Sequence, residues 1–322
     1  GWCTWERNAD GALLPTAGGS VTPEEPDYFA GGDGSVGDPY QIATEAQLRA
    51  FAEATQAGKL VTTNVCFVLT ADIALNGEWT PVHSFGGTFD GGDHTVSGMT
   101  IGTADAPSKL VSAGFFDVLA NTARVHDLHL TNASVYVQRS GAALDDRIYA
   151  GGLVGGAGTA GSNVRIDNCS VTGSAISLTA ENWAYAGGIL GAQAMYGVIT
   201  NCWTDVTVSA ISKSGLTCVG GITAINSNGA MLANCAALGD VISHNGYTLT
   251  STISGAAGGL IGQATGLLHN CYASGNIELI NAMDVATPAA GMLVGKISAS
   301  RALNGVVVGC RYETTSVVTA NG

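Results

Sequence analysis

The chain reads as an all-β protein, a parallel β-helix, on three observations. The first is a glycine pair set among aliphatic residues, Ala150-Gly151-Gly152-Leu153-Val154-Gly155, which returns as Ala186 to Gly191, Val219 to Ala224, Ala257 to Gly262 and Ala290 to Gly295. The second is that every copy is followed by a cysteine, Cys169, Cys202, Cys235, Cys271 and Cys310, and these lie 33, 33, 36 and 39 residues apart. A fixed motif at a nearly fixed period marks a solenoid. The third is composition: 46 glycines in 322 residues, with 46% hydrophobic and 11% charged residues. A chain so rich in glycine and yet apolar is built of short strands and turns, since a disordered linker would be polar and charged.

The repeat explains itself chemically. Three residues before each cysteine stands an aliphatic residue: Ile166, Ile199, Leu232, Leu268 and Val307. On a flat strand an odd spacing puts two residues on opposite faces, so both point inward only if the backbone bends between them. The residue before the cysteine is Asn168, Asn201, Asn234, Asn270 or Gly309, the two types that most readily take positive φ. Each repeat is therefore one coil, with its cysteine on the inner wall and its asparagine at a corner. Stacked ~4.8 Å apart, the thiols form a column of small apolar groups and the asparagines an amide ladder. Val96-Ser97-Gly98-Met99 and Val125-His126-Asp127-Leu128 fit the same frame with cysteine replaced, which makes about seven coils.

Cysteine chemistry follows from that placement. The five column residues are expected as free thiols, because stacked Cβ vectors point the same way and oppose bridging. Cys218 lies outside the column, and a Cys3 to Cys66 bridge is open. No CxxC or CxxxC spacing occurs, so no zinc site is built on cysteine.

Residues 1–32 form an irregular N-terminal arm with Pro15, Pro23 and Pro26, anchored by Trp2 and Trp5, and residues 33–322 the β-helix. Within the latter, Thr44 precedes Gln47 by three, Leu48, Phe51 and Ala52 make a helical stripe, and Gly58 stops it. The helix is placed near 45–56, where it caps the open first coil and hides strand edges. Cys66 to Leu69 and Ile73 to Leu75 supply the first strands.

The ordered run DPYQIATEAQLRAFA, LTADIAL, WTPV, GGTFDGGDHTVSGMTI and the GGLVG copies, from about Gly31 to Cys310, resembles bacterial surface proteins with GLUG repeats. The resemblance implies a right-handed parallel β-helix in large secreted or wall-attached proteins, including adhesin-like chains and stalks of immunoglobulin A metalloproteases. It implies no catalytic residues, because the repeats are scaffold. Gly309 in place of the corner asparagine, and Met99 and Leu128 in place of cysteine, are its departures.

Other chemistry is sparse. The six histidines contain no HExxH. Gly156 to Gly161 matches GxGxxG by letter but falls between strands, not at a helix start. His126 and His129, three apart on a strand, are expected on opposite faces and hence not to share a metal. Asp90, Asp93 and His94 sit in an Asp-Gly-Gly-Asp turn. Asp145, Asp146 and Arg147 fall in a long, solvated loop. No cofactor and no metal ligand set is expected.

The net charge of −13 argues against nucleic acid or an anionic membrane surface as partner. No apolar run spans a bilayer, so no membrane insertion is expected, and the first residues are not a signal peptide. Trp203 and Tyr272 each follow a column cysteine, so they should point outward, two coils apart on one face. Trp183 and Tyr185 precede the Ala186 glycine pair in an expected loop, and exposed rings of this kind stack on sugars. These four are the candidate ligand-binding residues. The expectation is a non-catalytic module of a secreted or cell-surface bacterial protein, a stalk or an adhesive segment for glycans or host surface proteins. The chain is expected to be part of a longer multidomain polypeptide, since Asn321-Gly322 brings no evident cap. The rival is a polysaccharide lyase or glycoside hydrolase on the same scaffold, which needs several charged residues on one face.

Overall fold

The computed structural model describes residues 5–7, 13–15, 28–120, 122–140, 147–157, 163–192, 196–227, 229–246, 255–282, 289–297 and 307–321. From residue 28 onward, short strands wind around three walls, and nearly every pairing is parallel, to the equivalent strand one turn on. The aliphatic member of the repeat stacks in strict register: Val125 on Ile166, then Ile199, Leu232, Leu268 and Val307. Two walls carry six strands each, which spans about five full turns. The third wall is folded along the corner column. This is the expected parallel β-helix.

The corner is built as its residue types require. Asp93, Asp127, Asn168, Asn201, Asn234, Asn270 and Gly309 all take positive φ, between 47° and 67°. The kink lets Ile166 and Cys169, Ile199 and Cys202, and Leu232 and Cys235 bury both side chains. Corner amides then bond along the stack, Asn270 Nδ2 to Asn234 Oδ1 at 2.9 Å and Asn234 Nδ2 to Asn201 Oδ1 at 3.1 Å. The corner recurs seven times, but full turns number about five, fewer than the seven coils expected from the repeats, and one repeat is shifted. Val96 stacks beside Leu130 and Val171, so it belongs to the strand after the corner, and Phe89 takes the place assigned to it. Gly98 makes a further bend beside Asn132, both at positive φ. Two extra residues, Gly91 and Gly92, hid this offset: His126 pairs with Asp90, but Leu128 pairs with His94.

The cysteines behave as expected. Every described cysteine is a free thiol, Cys66 included, while Cys3, the other half of the bridge left open from the sequence, lies outside the described residues. Backbone N–H groups of Cys169, Cys235 and Cys271 donate to the sulfur one coil on at 3.4–3.5 Å. Burial pushes the Cys202 thiol well up and that of Cys218 to about 12. Neither is a thiolate at neutral pH.

The glycine pair serves close approach. A Cβ on Gly221 would stand 2.2 Å from the carbonyl oxygen of Gly259, and one on Gly259 would stand 2.0 Å from that of Met292. The copy with methionine at this place, Ala290-Gly291-Met292, has no described coil above it.

The helix is Glu45–Gln56, as placed from the sequence. Thr44 Oγ1 accepts from Gln47 N–H, and Gln47 Oε1 accepts from Ala43 N–H. Gly58 at φ 65° ends it. Its buried stripe, Leu48, Phe51 and Ala52, faces the first coils. The Phe51 ring lies 4.7 Å from Phe67 and 6.1 Å from Phe89. Donors from Asn76 and Arg49 hold the Glu45 carboxyl down to about 2, tying the helix start to the coil beneath. In the N-terminal arm Trp5–Arg7 pairs antiparallel with Leu13–Pro15, so a short two-stranded ribbon interrupts what was expected as irregular chain. Trp2 lies outside the described residues. No described helix is long and apolar enough to cross a membrane.

The core changes character along the axis. Beneath the helix it is aromatic, with Phe51, Phe67, Trp79, Phe85, Phe89, Phe115 and Phe116 all buried, and further on it is aliphatic with the thiol column. Truncation should follow that gradient. Phe89→Ala is expected to cost ~3–5 kcal/mol, and Cys235→Ala, which removes one sulfur, about 1 kcal/mol. Urea unfolding of the two variants checks this, and equal losses would contradict it.

Candidate functional site

Titratable side chains gather at one place outside the core, the corner of the early coils. The strand Thr88–Ser97 brings Asp90 and Asp93 to the corner because Gly91 and Gly92 bulge between them. A Cβ on Gly91 would stand 2.1 Å from the carbonyl oxygen of Asp127, so the bulge needs glycine. The next strand, Arg124–Arg139, lays His126, Asp127 and His129 over it.

His126 and His129 are both on the outer side, contrary to the strand-alternation expectation. The bend at Asp127 that turns Val125 and Leu128 inward turns the two histidines outward. His126 Nδ1 lies 2.7 Å from Asp127 Oδ2 and 3.5 Å from Asp90 Oδ1. His129 Nδ1 lies 2.9 Å from Ser170 Oγ, and its Nε2 lies 3.7 Å from Asp93 Oδ1. Asn168 Nδ2 donates to Asp127 Oδ1 at 2.6 Å and reaches Asp93 Oδ1 at 3.2 Å. Asp90 also closes its own turn, accepting from Gly92 N–H at 2.8 Å, as the Asp-Gly-Gly-Asp setting implied. His94 turns away to Asp72, 3.2 Å from Nδ1 to Oδ1.

Donor atoms of Asp90, His126 and Asp127 lie within 4.8 Å of one another, the group among the described residues that faces a common point. Chemically it is a histidine backed by a carboxylate: with Nδ1–H donating to Asp127, Nε2 has no partner among the described residues. Burial works against charge on Asp127, yet the bonds from Asn168 and His126 hold its carboxyl below the ordinary value.

One rung to the side lies a shallow groove of about 330 Å³, lined by Arg124, His126, Arg165, Asp167, Val198 and Thr200 together with the edge of Val125. Arg124 and Arg165 are register partners on its rim. Asp167 Oδ1 accepts from Thr200 Oγ1 and from Asn201 Nδ2. The sequence singles out His126, His129, Asp90 and Asp93 in this region, and not Asp167, Thr200 or the arginines. Arg124 and Arg165 carry no local motif, and what could have found them is the repeat frame, which puts them at one position of successive coils.

The four aromatic candidates divide. Trp203 is 40% exposed and stands two rungs from Tyr272, with Ala236 between them, on the outward face foreseen. The Tyr272 hydroxyl donates to Glu313 Oε2 at 3.4 Å. Trp183 and Tyr185 lie on a strand, Trp183–Gly187, rather than in a loop, and Tyr185 is buried. The reason is its neighbours. Tyr149 stacks on Tyr185 at 5.4 Å between centroids, Cys218 lies under it in register, and the Trp183 ring runs nearly parallel at 6.4 Å. Arg147, expected in a solvated loop, begins the strand beside Trp183 with its guanidinium 6.0 Å from the ring centroid. Asp145, Asp146 and most of the GxGxxG run lie outside the described residues.

The Asp127 bonds predict a sign for acid behaviour. A carboxyl depressed in the folded state contributes stability that is complete above its unfolded value, ~3.9, and is lost as pH falls through its folded value. Asp127→Asn should therefore flatten the fall in urea midpoint below about pH 4 while leaving the fold intact. A variant whose acid limb coincides with that of the parent would contradict the assignment.

The GLUG motif model matches residues 253–278, the span holding the Ala257-Gly258-Gly259 copy and Cys271. No curated protein matches the chain. Among solved structures, a protein from Bacteroides ovatus put forward as an immunoglobulin A1 protease is similar in fold, with a TM-score of 0.65 and 24% identity over 91% of this chain and 80% of that one. The chain thus carries a GLUG motif within a β-helix that extends far beyond the matched repeat, and shares that fold with the Bacteroides protein.

Proposed function

We propose that this chain is a non-catalytic β-helix module of a large secreted or cell-surface bacterial protein, a rigid stalk whose outer face holds glycans or host surface proteins. The GLUG motif and the fold shared with the Bacteroides ovatus protein support a bacterial, exported setting. One observation carries the adhesive part. Trp203 stands open on the outside with small Ala236 beside it and Tyr272 beyond, a slot with aromatic walls at rung spacing. Aromatic faces placed this way take the apolar faces of sugar rings. Trp183, held flat by Tyr185 and Arg147, offers a second ring. Tyr185 itself supports that ring from below and is not a contact.

A second reading has an observation of its own. The His126–Asp127 pair beside Arg124 and Arg165 has the parts of a base with cationic neighbours, which is what a polysaccharide lyase needs. Affinity electrophoresis in a panel of soluble polysaccharides, with a parallel assay for chain cleavage, separates the two. Retardation by at least one polysaccharide without cleavage is expected, weakened about threefold to tenfold by Trp203→Ala. Sustained cleavage that disappears in His126→Ala would establish the enzyme instead.

A further inference from the structure

The groove beside the corner has a charge pattern that its own neighbours leave unanswered. Arg124 and Arg165 are direct partners in adjacent coils, their backbones about 4.8 Å apart. The rung before Arg124 carries Thr88 and the rung after Arg165 carries Val198, so no carboxylate stands in the same column. Among the described residues neither guanidinium has an ion pair or a hydrogen-bond partner, although Arg49 and Lys213 both pair with glutamates. Like charges stacked in register repel. This chain has only 12 lysines and arginines against 25 acids, so two unpaired guanidiniums side by side are not a consequence of abundance.

The nearby carboxylates are engaged elsewhere. Asp167 takes donors from Thr200 and Asn201, Asp127 from Asn168 and His126, and Asp90 from Gly92. The groove therefore presents two forked cations at one edge and, at the other, an aspartate, a threonine hydroxyl and a histidine. We infer that it is a binding subsite for an acidic saccharide, with Arg124 and Arg165 taking the carboxylate of a uronic acid while Asp167, Thr200 and His126 meet its hydroxyls. A guanidinium binds a carboxylate through two parallel N–H bonds, and two of them accommodate one such group from both sides. Asp167 selects against a ligand that offers only anionic oxygens and favours one that carries hydroxyl donors beside its carboxylate. A polyphosphate offers anionic oxygens alone, and an acidic peptide carries its carboxylates on flexible side chains without hydroxyls fixed beside them. The groove lies before the corner and Trp203 just after it, in the coil of Thr200 and Asn201, so one sugar chain laid across that corner meets both.

This inference rests on the reading that the outer face holds glycans, and its test keeps the two apart. Uronate oligosaccharides, the same oligosaccharides with carboxyls reduced to alcohols, neutral glycans and polyglutamate are titrated into the full chain and into R124Q/R165Q and R165K by calorimetry. Both arginines are exposed and repel each other, so the variants are expected to melt no lower than the parent. The uronate should bind, and carboxyl reduction or R124Q/R165Q should each weaken it by about tenfold or more, with R165K between, because lysine keeps the charge and loses the fork. Equal binding of the reduced oligosaccharide, or an unaffected R124Q/R165Q, would overturn the subsite while neutral glycan binding left the broader proposal standing. Polyglutamate binding as tightly as uronate would overturn the saccharide assignment. Failure of every saccharide to bind would remove both.

Discussion

The structure depends on one backbone constraint, a left-handed residue at the same point of each coil. Without it, the aliphatic residue and the cysteine three positions on could not both enter the core, and the inner wall would alternate polar with apolar. Asparagine suits the corner for a second reason. Its side chain both donates and accepts, so identical residues bond one another along the stack, as Asn201, Asn234 and Asn270 do. Aspartate tolerates the same φ but only accepts, and glycine does neither. The ladder is therefore self-sufficient in the later coils and is not in the earlier ones, where Asp93 and Asp127 hold the corner. There the donors are His126 and His129, from outside the ladder, and Asn168, the corner of the next coil. The gathering of titratable groups at the early corner follows directly from replacing an amide with an acid in a column that must bond to itself.

The same end of the solenoid differs inside. Coils beneath the helix are filled by phenylalanine rings and by Trp79, whose indole N–H bonds the carbonyl of Phe115 at 3.1 Å. Among the described residues no coil precedes the first one to complete its core. Phe51 of the helix enters that space among Phe67, Phe85 and Phe89, and polar contacts from Glu45, Arg49 and Gln56 fix the helix to the coil edge. Later coils are covered on both sides, and small residues, thiols and aliphatic chains suffice.

What could be read from sequence was whatever a single coil decides alone. The helix bounds were legible because Thr44, Gln47 and Gly58 act within a few residues of the helix they delimit. The corners were legible because asparagine or glycine next to a cysteine is a local signal, repeated. Legibility failed where the partner lies one coil away. The outward turn of both His126 and His129 comes from the bend at Asp127 that turns Val125 and Leu128 inward, and plain strand alternation does not contain that bend. Tyr185 reads as an exposed ring until Tyr149 and Cys218 are stacked against it, from 36 and 33 residues away. Val96 lies one strand later than the repeat frame places it, because Gly91 and Gly92 add length without any repeat signal of their own.

A stacked repeat also states where to look for function. Its inner columns must hold residues of one kind, because each packs on its own equivalent above and below, and a departure there costs stability. The outer columns are under no such rule, so a cluster of unlike residues in an outer column is informative. One outer column runs Thr88, Arg124, Arg165, Val198, Met231 and Leu267. Its two arginines interrupt a series of small polar and apolar groups, and they do so beside the coils where the corner has changed from amide to acid. Another runs Ser170, Trp203, Ala236, Tyr272 and Arg311, with the open tryptophan among small neighbours. Neither interruption contributes to the core, and neither is needed to turn the corner. Both fall on coils joined by one rigid ladder, so the spacing between cationic groove and aromatic slot is set by the scaffold and not by flexible loops. A ligand of the proposed kind, long enough to reach both, would find them already in place, which is the condition for binding without loss to reordering.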